Sequence, residues 1–334
     1  MTTGAEEQET NSENNLILMK AFPIKGENGN YIYFPNEKDT VINANKFSTE
    51  FMGLNVDNKE KVICRFLNPE VIKINPQKIN LLIEASKLLK HENITKTYDI
   101  IIEGQNIILI QEYYEHFTLK DLIYNRQLKH TKYDIFFIKI IIQTLIALEF
   151  LHTNKICHCN ICPENILIYH YYNGRPNFDE PEVKLTDLDS IKLNYSSMFS
   201  YWEEHKTFRL LYASPEQILN LENLVGPQSD IYSMGMVLYE TIAKKHLMSE
   251  QKNNFYIKRM QYSTPLNNSH NIEDSMFDII KKACAKKEFI KSSRYYSKHE
   301  KTEIVKTGID HRFKSAKELG LALIKYMEYH NYKV

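Results

Sequence analysis

The sequence predicts an α+β chain in two unequal parts, a small strand-rich part holding one main helix and a larger helical part. Three observations carry this reading. Between Val41 and Tyr114 apolar residues recur in strand-like runs, among them Lys61-Val62-Ile63-Cys64-Arg65-Phe66 and Asn106-Ile107-Ile108-Leu109-Ile110. One segment, Pro76 to Lys90, breaks that pattern, with Ile79, Leu82, Ile83 and Leu89 at helical spacing. From Thr118 onward the pattern is mostly helical. The strand-rich part runs to about 80 residues and the helical part to about 210, within the soft length prior for two domains.

The elements follow in order. Residues 1–15 carry four Glu and no Lys or Arg, which predicts a disordered acidic tail. Residues 16–38 place apolar stretches on either side of Gly26-Glu27-Asn28-Gly29-Asn30, which reads as a hairpin extension. The strand-rich lobe is expected over 39–113 and the helical lobe over 114–330. The most apolar window, Ile135 to Leu151, is interrupted by Lys139, Gln143 and Glu149 and reads as a buried helix rather than a membrane span. Ile138, Ile141, Ile142, Leu145 and Leu148 form its core stripe. Residues Asn165 to Leu188 suggest two short strands joined across Asn173-Gly174. Residues 288–311 read as an extended, mildly basic loop with Lys291, Arg294, Lys298, Lys301 and Lys306, a solvated face or a dock for an acidic partner.

Composition narrows the function classes. Lys+Arg and Asp+Glu are 42 each, so the net charge is zero. General nucleic-acid or anionic-membrane binding needs a basic surplus, and neither is expected. Five cysteines, three of them at 157, 159 and 162, do not form a secreted disulfide framework. With no basic-then-apolar leader visible, the cytoplasm is the expected location, the nucleus being the alternative.

The chemistry lies in a few short motifs. Phe150-Leu-His-Thr-Asn-Lys-Ile-Cys-His158-Cys-Asn160-Ile-Cys-Pro-Glu-Asn165 resembles the catalytic loop of eukaryotic-type protein kinases, H-R-D-x-x-x-x-N. Val183-Lys-Leu-Thr-Asp187-Leu188-Asp189 resembles the D-F-G metal loop, and Tyr212-Ala-Ser-Pro-Glu216 the A-P-E element. Ser229-Asp230 opens what looks like the large-lobe F helix, and Arg312-Phe-Lys-Ser-Ala resembles the final arginine motif. Five motifs in family order are a specific signal. The resemblance covers roughly residues 39 to 330 and implies a two-lobed protein-kinase fold, with a small antiparallel β-rich lobe and a large helical one. The Pro-Glu-Asn and Ser-Pro-Glu-Gln wording is similar to the serine/threonine branch.

By family match, ATP is implied at Arg65, Ile63, Glu112, Tyr114 and Leu167, and Mg²⁺ at Asn165 and Asp187. His158, Glu216, Asp230 and Arg312 match structural positions: a packed loop histidine, a buried ion pair, and a carboxylate that caps the loop backbone. The departures are numerous. Asn160 stands at the position of the catalytic aspartate, and an amide cannot accept a proton at neutral pH. A positioned base is worth about 10²–10⁴-fold. Cys159 replaces the loop arginine, and Cys162 replaces the lysine that steadies the transferred phosphate. Arg65 keeps a charge at the strand lysine, but its planar fork is not equivalent to an ammonium. Ile63 fills space the adenine takes in the family. Asn43, Asn45 and Ser48 stand where three glycines let backbone amides approach phosphate.

The helix-glutamate position falls on Leu82 without a gap, with Glu84 two residues on. Asp189 at the metal-loop glycine, with Asp187 and Arg65, suggests an ion-pair cluster in place of Mg²⁺ and phosphate. Cys157, His158, Cys159 and Cys162 suit zinc by ligand type, yet they crowd within six residues, so small packed thiols are the better reading. Ser196, Ser197, Ser200 and Thr207 read as ordinary loop hydroxyls, because no cation at 159 would receive a phosphate. The expectation is a pseudokinase that binds protein partners, an active kinase among the candidates, as a scaffold or allosteric regulator of signalling. The alternative is a weak or unconventional ATP-dependent serine/threonine kinase, or an ATP-binding module without turnover.

Overall fold

The computed structural model describes residues 21–35, 38–44, 48–68, 83, 89–104, 106–128, 133–169, 174–188, 192–193, 209–248, 253–254 and 262–332. The acidic tail, most of the helix expected at 76–90 with Leu82 and Glu84, Asn45, Asp189 and the hydroxyls Ser196, Ser197, Ser200 and Thr207 lie outside them. The chain forms two units: Met1–Lys90 with Lys96–Tyr114, and His91–Thr95 with Glu115–Val334.

The first unit is an antiparallel sheet of β1 (Phe22–Lys25), β2 (Asn30–Tyr33), β3 (Val41–Ala44), β4 (Ser48–Asn55), β5 (Lys61–Leu67), β6 (Thr97–Glu103) and β7 (Asn106–Glu112). Its order is β1-β2-β4-β5-β7-β6, with β3 pairing β4. Strand alternation splits β5 between two cores. Val62 and Cys64 join Ile101, Ile108 and Ile110 on one face, where Ile24 and Tyr31 of the β1–β2 hairpin cover them. Leu67 joins Ile107 and Leu109 on the other, against Ile83, a helical residue. The hairpin extension is therefore part of this unit's core. Its turn is also fastened across the sheet: the Asn28 backbone N–H donates to Asp99 Oδ2 at 2.8 Å, and its side-chain amide donates to the Tyr98 carbonyl at 3.0 Å. Strands at opposite edges of the sheet are thus tied, and the sheet curls.

The second unit is built on α2 (Asp134–Thr153), which follows β8 (His116–Thr118) and α1 (Leu119–Tyr124). Helix α2 is long and apolar enough to cross a membrane by length and composition. Its Phe137, Ile138, Ile141, Leu145, Leu148 and Leu151 are buried within this unit, which makes it the core helix. After it come β9 (Ile156–Cys157), β10 (Ile166–Tyr169), β11 (Val183–Leu185), β12 (Lys192–Leu193), α3 (Pro215–Ile218), α4 (Pro227–Ala243), α5 (Asp274–Ala283), α6 (Lys298–Asp310) and α7 (Ala316–Tyr329). Strands β10 and β11 pair antiparallel as expected, with Ile168 opposite Val183. The segment that joins them contains Asn173-Gly174, of which Asn173 lies outside the described residues.

The segment 288–311 corrects the sequence reading: most of it is helix α6, not an extended loop. A capping box starts the helix, with Ser297 Oγ accepting from the Glu300 N–H at 3.2 Å and Glu300 Oε2 accepting from the Ser297 N–H at 2.7 Å. Its apolar side buries Val305 with Leu221, Tyr262 and Phe289, while Lys298 and Lys306 lie outward and Lys301 is half-buried. The charge run masked a helical stripe of Ile304, Val305, Gly308 and Ile309. Gly308 lets the helix approach the preceding chain closely, since a Cβ there would lie 2.7 Å from Lys286 Cα.

Candidate functional site

Asp230, in the first turn of α4, organises the loop that follows β9. Its Oδ2 accepts from the His158 N–H at 2.8 Å and pairs with His152 Nε2 at 2.9 Å, and its Oδ1 accepts from the Cys159 N–H at 2.8 Å. Cys159 takes a left-handed backbone, φ 64°. Its carbonyl accepts from Gln217 Nε2 at 2.8 Å. His158 is fully buried. Its Nδ1 accepts from the Asn160 N–H at 3.2 Å, which leaves Nε2 as the donor to the Thr186 carbonyl at 2.9 Å. The positions expected to be structural, His158 and Asp230, are thus brought together with Asn160.

The Asn160 side chain is engaged at both ends. Its Nδ2 donates to Asp187 Oδ2 at 2.6 Å, and its Oδ1 accepts from the Arg209 N–H at 3.1 Å. Asn165 Nδ2 donates to the Asn160 carbonyl at 2.8 Å and to Asp187 Oδ2 at 3.2 Å. Asp187, at φ 66°, places one carboxylate oxygen between two side-chain amides. The two residues expected to hold Mg²⁺ are therefore together, with hard oxygen donors of the right type. The third side chain turned to them presents an N–H, where a cation needs oxygen.

Cys162 is buried, and burial pushes its thiol up, so it is a neutral packing group. The positive charge nearby comes from elsewhere. Glu164 Oε1 lies 2.5 Å from Lys120 Nζ and 3.4 Å from Arg209 Nη1. Burial pushes Glu164 up, but these two cations outweigh it and hold the carboxyl below its ordinary value. Sequence reasoning missed Arg209 and Gln217. Arg209 serves the loop by its N–H and by its guanidinium beside Glu164, and Gln217 by bonding a backbone carbonyl; both come from segments distant in sequence, so no motif marks them. Leu167 is a buried residue of β10.

Below this loop Glu216 and Arg312 form the expected ion pair. Arg312 Nη1 and Nη2 donate to Glu216 Oε1 and Oε2 at 2.7 and 3.1 Å, and both side chains are fully buried. Ser229 Oγ donates to the same carboxylate at 2.6 Å, and Arg312 also donates to the Ala285 and Gln228 carbonyls. Burial pushes Glu216 up, and Arg312 with Ser229 overcomes it to hold the carboxyl low.

In the first unit, Arg65 is 6% exposed and engaged by its own sheet. Its Nε donates to Ser48 Oγ at 3.2 Å and lies 3.4 Å from Glu50 Oε1, its register partner on β4. Ser48, at the third glycine position, is thus a partner of Arg65. Asn43 lies in the exposed β3. Ile63 is half-buried between Met52 and Gln111 in register. Glu112 ends β7 and accepts from the Lys96 N–H at 2.7 Å, with Tyr114 just beyond. Among the described residues no group of three His, Cys, Asp or Glu could hold a metal ion, the cysteine–histidine cluster included.

A family model described as the protein kinase domain matches residues 38–300. The chain is 30% identical over 230 residues to the serine/threonine-protein kinase PrkC of Bacillus subtilis, covering 68% of this chain and 33% of that protein. It is 30% identical over 167 residues to the human serine/threonine-protein kinase ULK3, covering 49% and 32%. It is 26% identical over 202 residues to the SNF1-like protein kinase ssp2 of Schizosaccharomyces pombe, covering 60% and 32%. The chain thus spans about a third of the length of these relatives.

Proposed function

The chain belongs to the protein kinase domain family, and from that premise we propose that it is a pseudokinase, a kinase fold that works by binding proteins as a scaffold or allosteric regulator of signalling. The observation that carries this reading is the state of Asn160. Phosphoryl transfer relies on positioning and charge stabilisation, with a carboxylate to take the substrate hydroxyl proton. Asn160 cannot take that proton, and both ends of its amide are committed, to Asp187 and to the Arg209 backbone. Arg65 already faces Glu50, and Cys162 is a neutral thiol. The residues present therefore do not fit an ATP·Mg²⁺ complex poised for transfer. What remains is a well-built helical unit, and in that unit Glu216–Arg312 and the Asp230 cap preserve architecture rather than chemistry.

One observation favours a second reading, a weakly active or unconventional ATP-dependent serine/threonine kinase. Asn165 and Asp187 stand within hydrogen-bond distance, as shared metal ligands would. Thermal melting with and without ATP, each with and without Mg²⁺, separates the two. A ligand at 100 times its dissociation constant adds about 2.7 kcal/mol, which a melt resolves. The pseudokinase reading, taken without nucleotide, expects no shift at millimolar ATP. A metal-dependent shift lost in Asp187→Ala would mean that Asp187 still holds metal and nucleotide, and transfer from γ-labelled ATP would then decide between turnover and binding alone.

A further inference from the structure

We propose that residues 286–298 form a docking site for an acidic peptide segment of a protein partner, one that carries an apolar anchor side chain. Ile290 is 95% exposed and Tyr295 is 67% exposed. These are not frayed positions, because their neighbours pin them. Phe289 is 4% exposed and packs its ring 5.5 Å from Tyr262 and 5.2 Å from Tyr296. The Lys291 N–H donates to the Tyr296 hydroxyl at 3.2 Å, and the Tyr295 N–H donates to the Ser292 carbonyl at 3.0 Å. With Phe289 turned into the core and residue 291 tied back, Ile290 is held outward on a fixed backbone. A rigid, exposed aliphatic side chain gives the partner's apolar anchor a fixed surface to pack on, at little ordering cost.

The surroundings set the sign of the partner. Residues 286–298 carry the exposed Lys287, Lys291, Arg294 and Lys298 against the single acid Glu288, on a chain whose net charge is zero; Lys286 faces inward beside Cys284 and adds nothing to this surface. The Arg294 guanidinium lies 5.0 Å from the Tyr295 ring centroid, and its Nη2 reaches the Tyr295 hydroxyl at 3.2 Å. That pair offers a flat, cationic platform with a fork suited to carboxylates. A bilayer is the poorer match, because stable membrane binding takes an extended apolar face or a lipid anchor beside the basic patch, and only Ile290 and Tyr295 protrude here. The proposal rests on the protein-binding reading above, and its test uses no nucleotide, so each fails separately.

The test is fluorescence anisotropy of the full chain with a fluorescein-labelled peptide of alternating glutamate and leucine. The same peptide with lysine for glutamate is the counter-probe, and sedimentation with mixed phosphatidylcholine–phosphatidylserine vesicles runs in parallel. The glutamate peptide is expected to bind, more weakly as salt rises, and the lysine peptide not to bind. Ile290→Ser should weaken binding about tenfold, and Lys291→Glu with Arg294→Glu should abolish it. All these positions are exposed, so melting temperatures should match wild type. Equal binding by the variants, no binding of the glutamate peptide, or co-sedimentation with vesicles alone would each overturn the proposal.

Discussion

Restoring the family's aspartate by Asn160→Asp should destabilise this protein and should not restore phosphoryl transfer. In the native loop Asn160 Nδ2 donates to Asp187 Oδ2 at 2.6 Å. The substitution replaces that donor with a carboxylate oxygen, and two unit charges at such a separation repel by about 6 kcal/mol at an effective dielectric of about 20. Asn160 is 6% exposed, so water screens little on its side, whereas Asp187 is only half-buried and can turn outward. Relaxation and sharing of a proton between the carboxylates reduce the cost to about 2–4 kcal/mol. For a unit of this size that is a melting temperature lower by roughly 5–10 °C. The deficit should shrink as pH falls from 7 to 5, because one of the paired carboxyls takes up a proton. Differential scanning fluorimetry at pH 7 and pH 5 reads both effects. An unchanged or higher melting temperature at pH 7 would refute the assignment of Asn160 as an amide bridge.

Further expectations follow from the same geometry. Arg312→Ala leaves Glu216 charged and fully buried, and should cost about 3–5 kcal/mol in denaturant unfolding; an unchanged midpoint refutes this. Burial holds His246 neutral, with its ring lowered from 6.5 to about 4. The folded state then binds fewer protons than the unfolded one between those values, so stability is full above pH 6.5 and falls by about 3 kcal/mol as pH drops to 4. Buried Glu240, pushed up by its own burial, acts in the opposite sense, so the His246 share is isolated by His246→Asn. That substitution keeps an acceptor for the Met248 N–H and should flatten the slope of stability against pH. Gly308→Ala should cost about 1–3 kcal/mol by forcing α6 away from Lys286, read by the same unfolding assay.

The kinase fold and most of the loop were legible because local motifs carry them. Asp230 and His158 announce a cap, and Glu216 with Arg312 announces a buried pair across 96 residues, all through short patterns. Helix α6 was hidden for a physical reason: its lysines dominate composition, while the capping box at Ser297 and Glu300 that starts it is a two-residue signal. Asn160 could be read as a lost base, but not as a bridge, because its partners, Asp187 and the Arg209 N–H, come from distant segments. The cover that the β1–β2 hairpin gives to Val62 and Cys64 was equally invisible, since sheet curl follows from pairings that no local pattern encodes.

The central claim, that this kinase fold has lost transfer chemistry, is tested most directly by incubating the protein with γ-labelled ATP and either Mg²⁺ or Mn²⁺. Labelling of the protein itself and of added casein is measured beside an Asp187→Ala control. The expected result is wild-type labelling indistinguishable from that control with both metals. Labelling well above the control, abolished by Asp187→Ala, would contradict the claim and make the chain an enzyme.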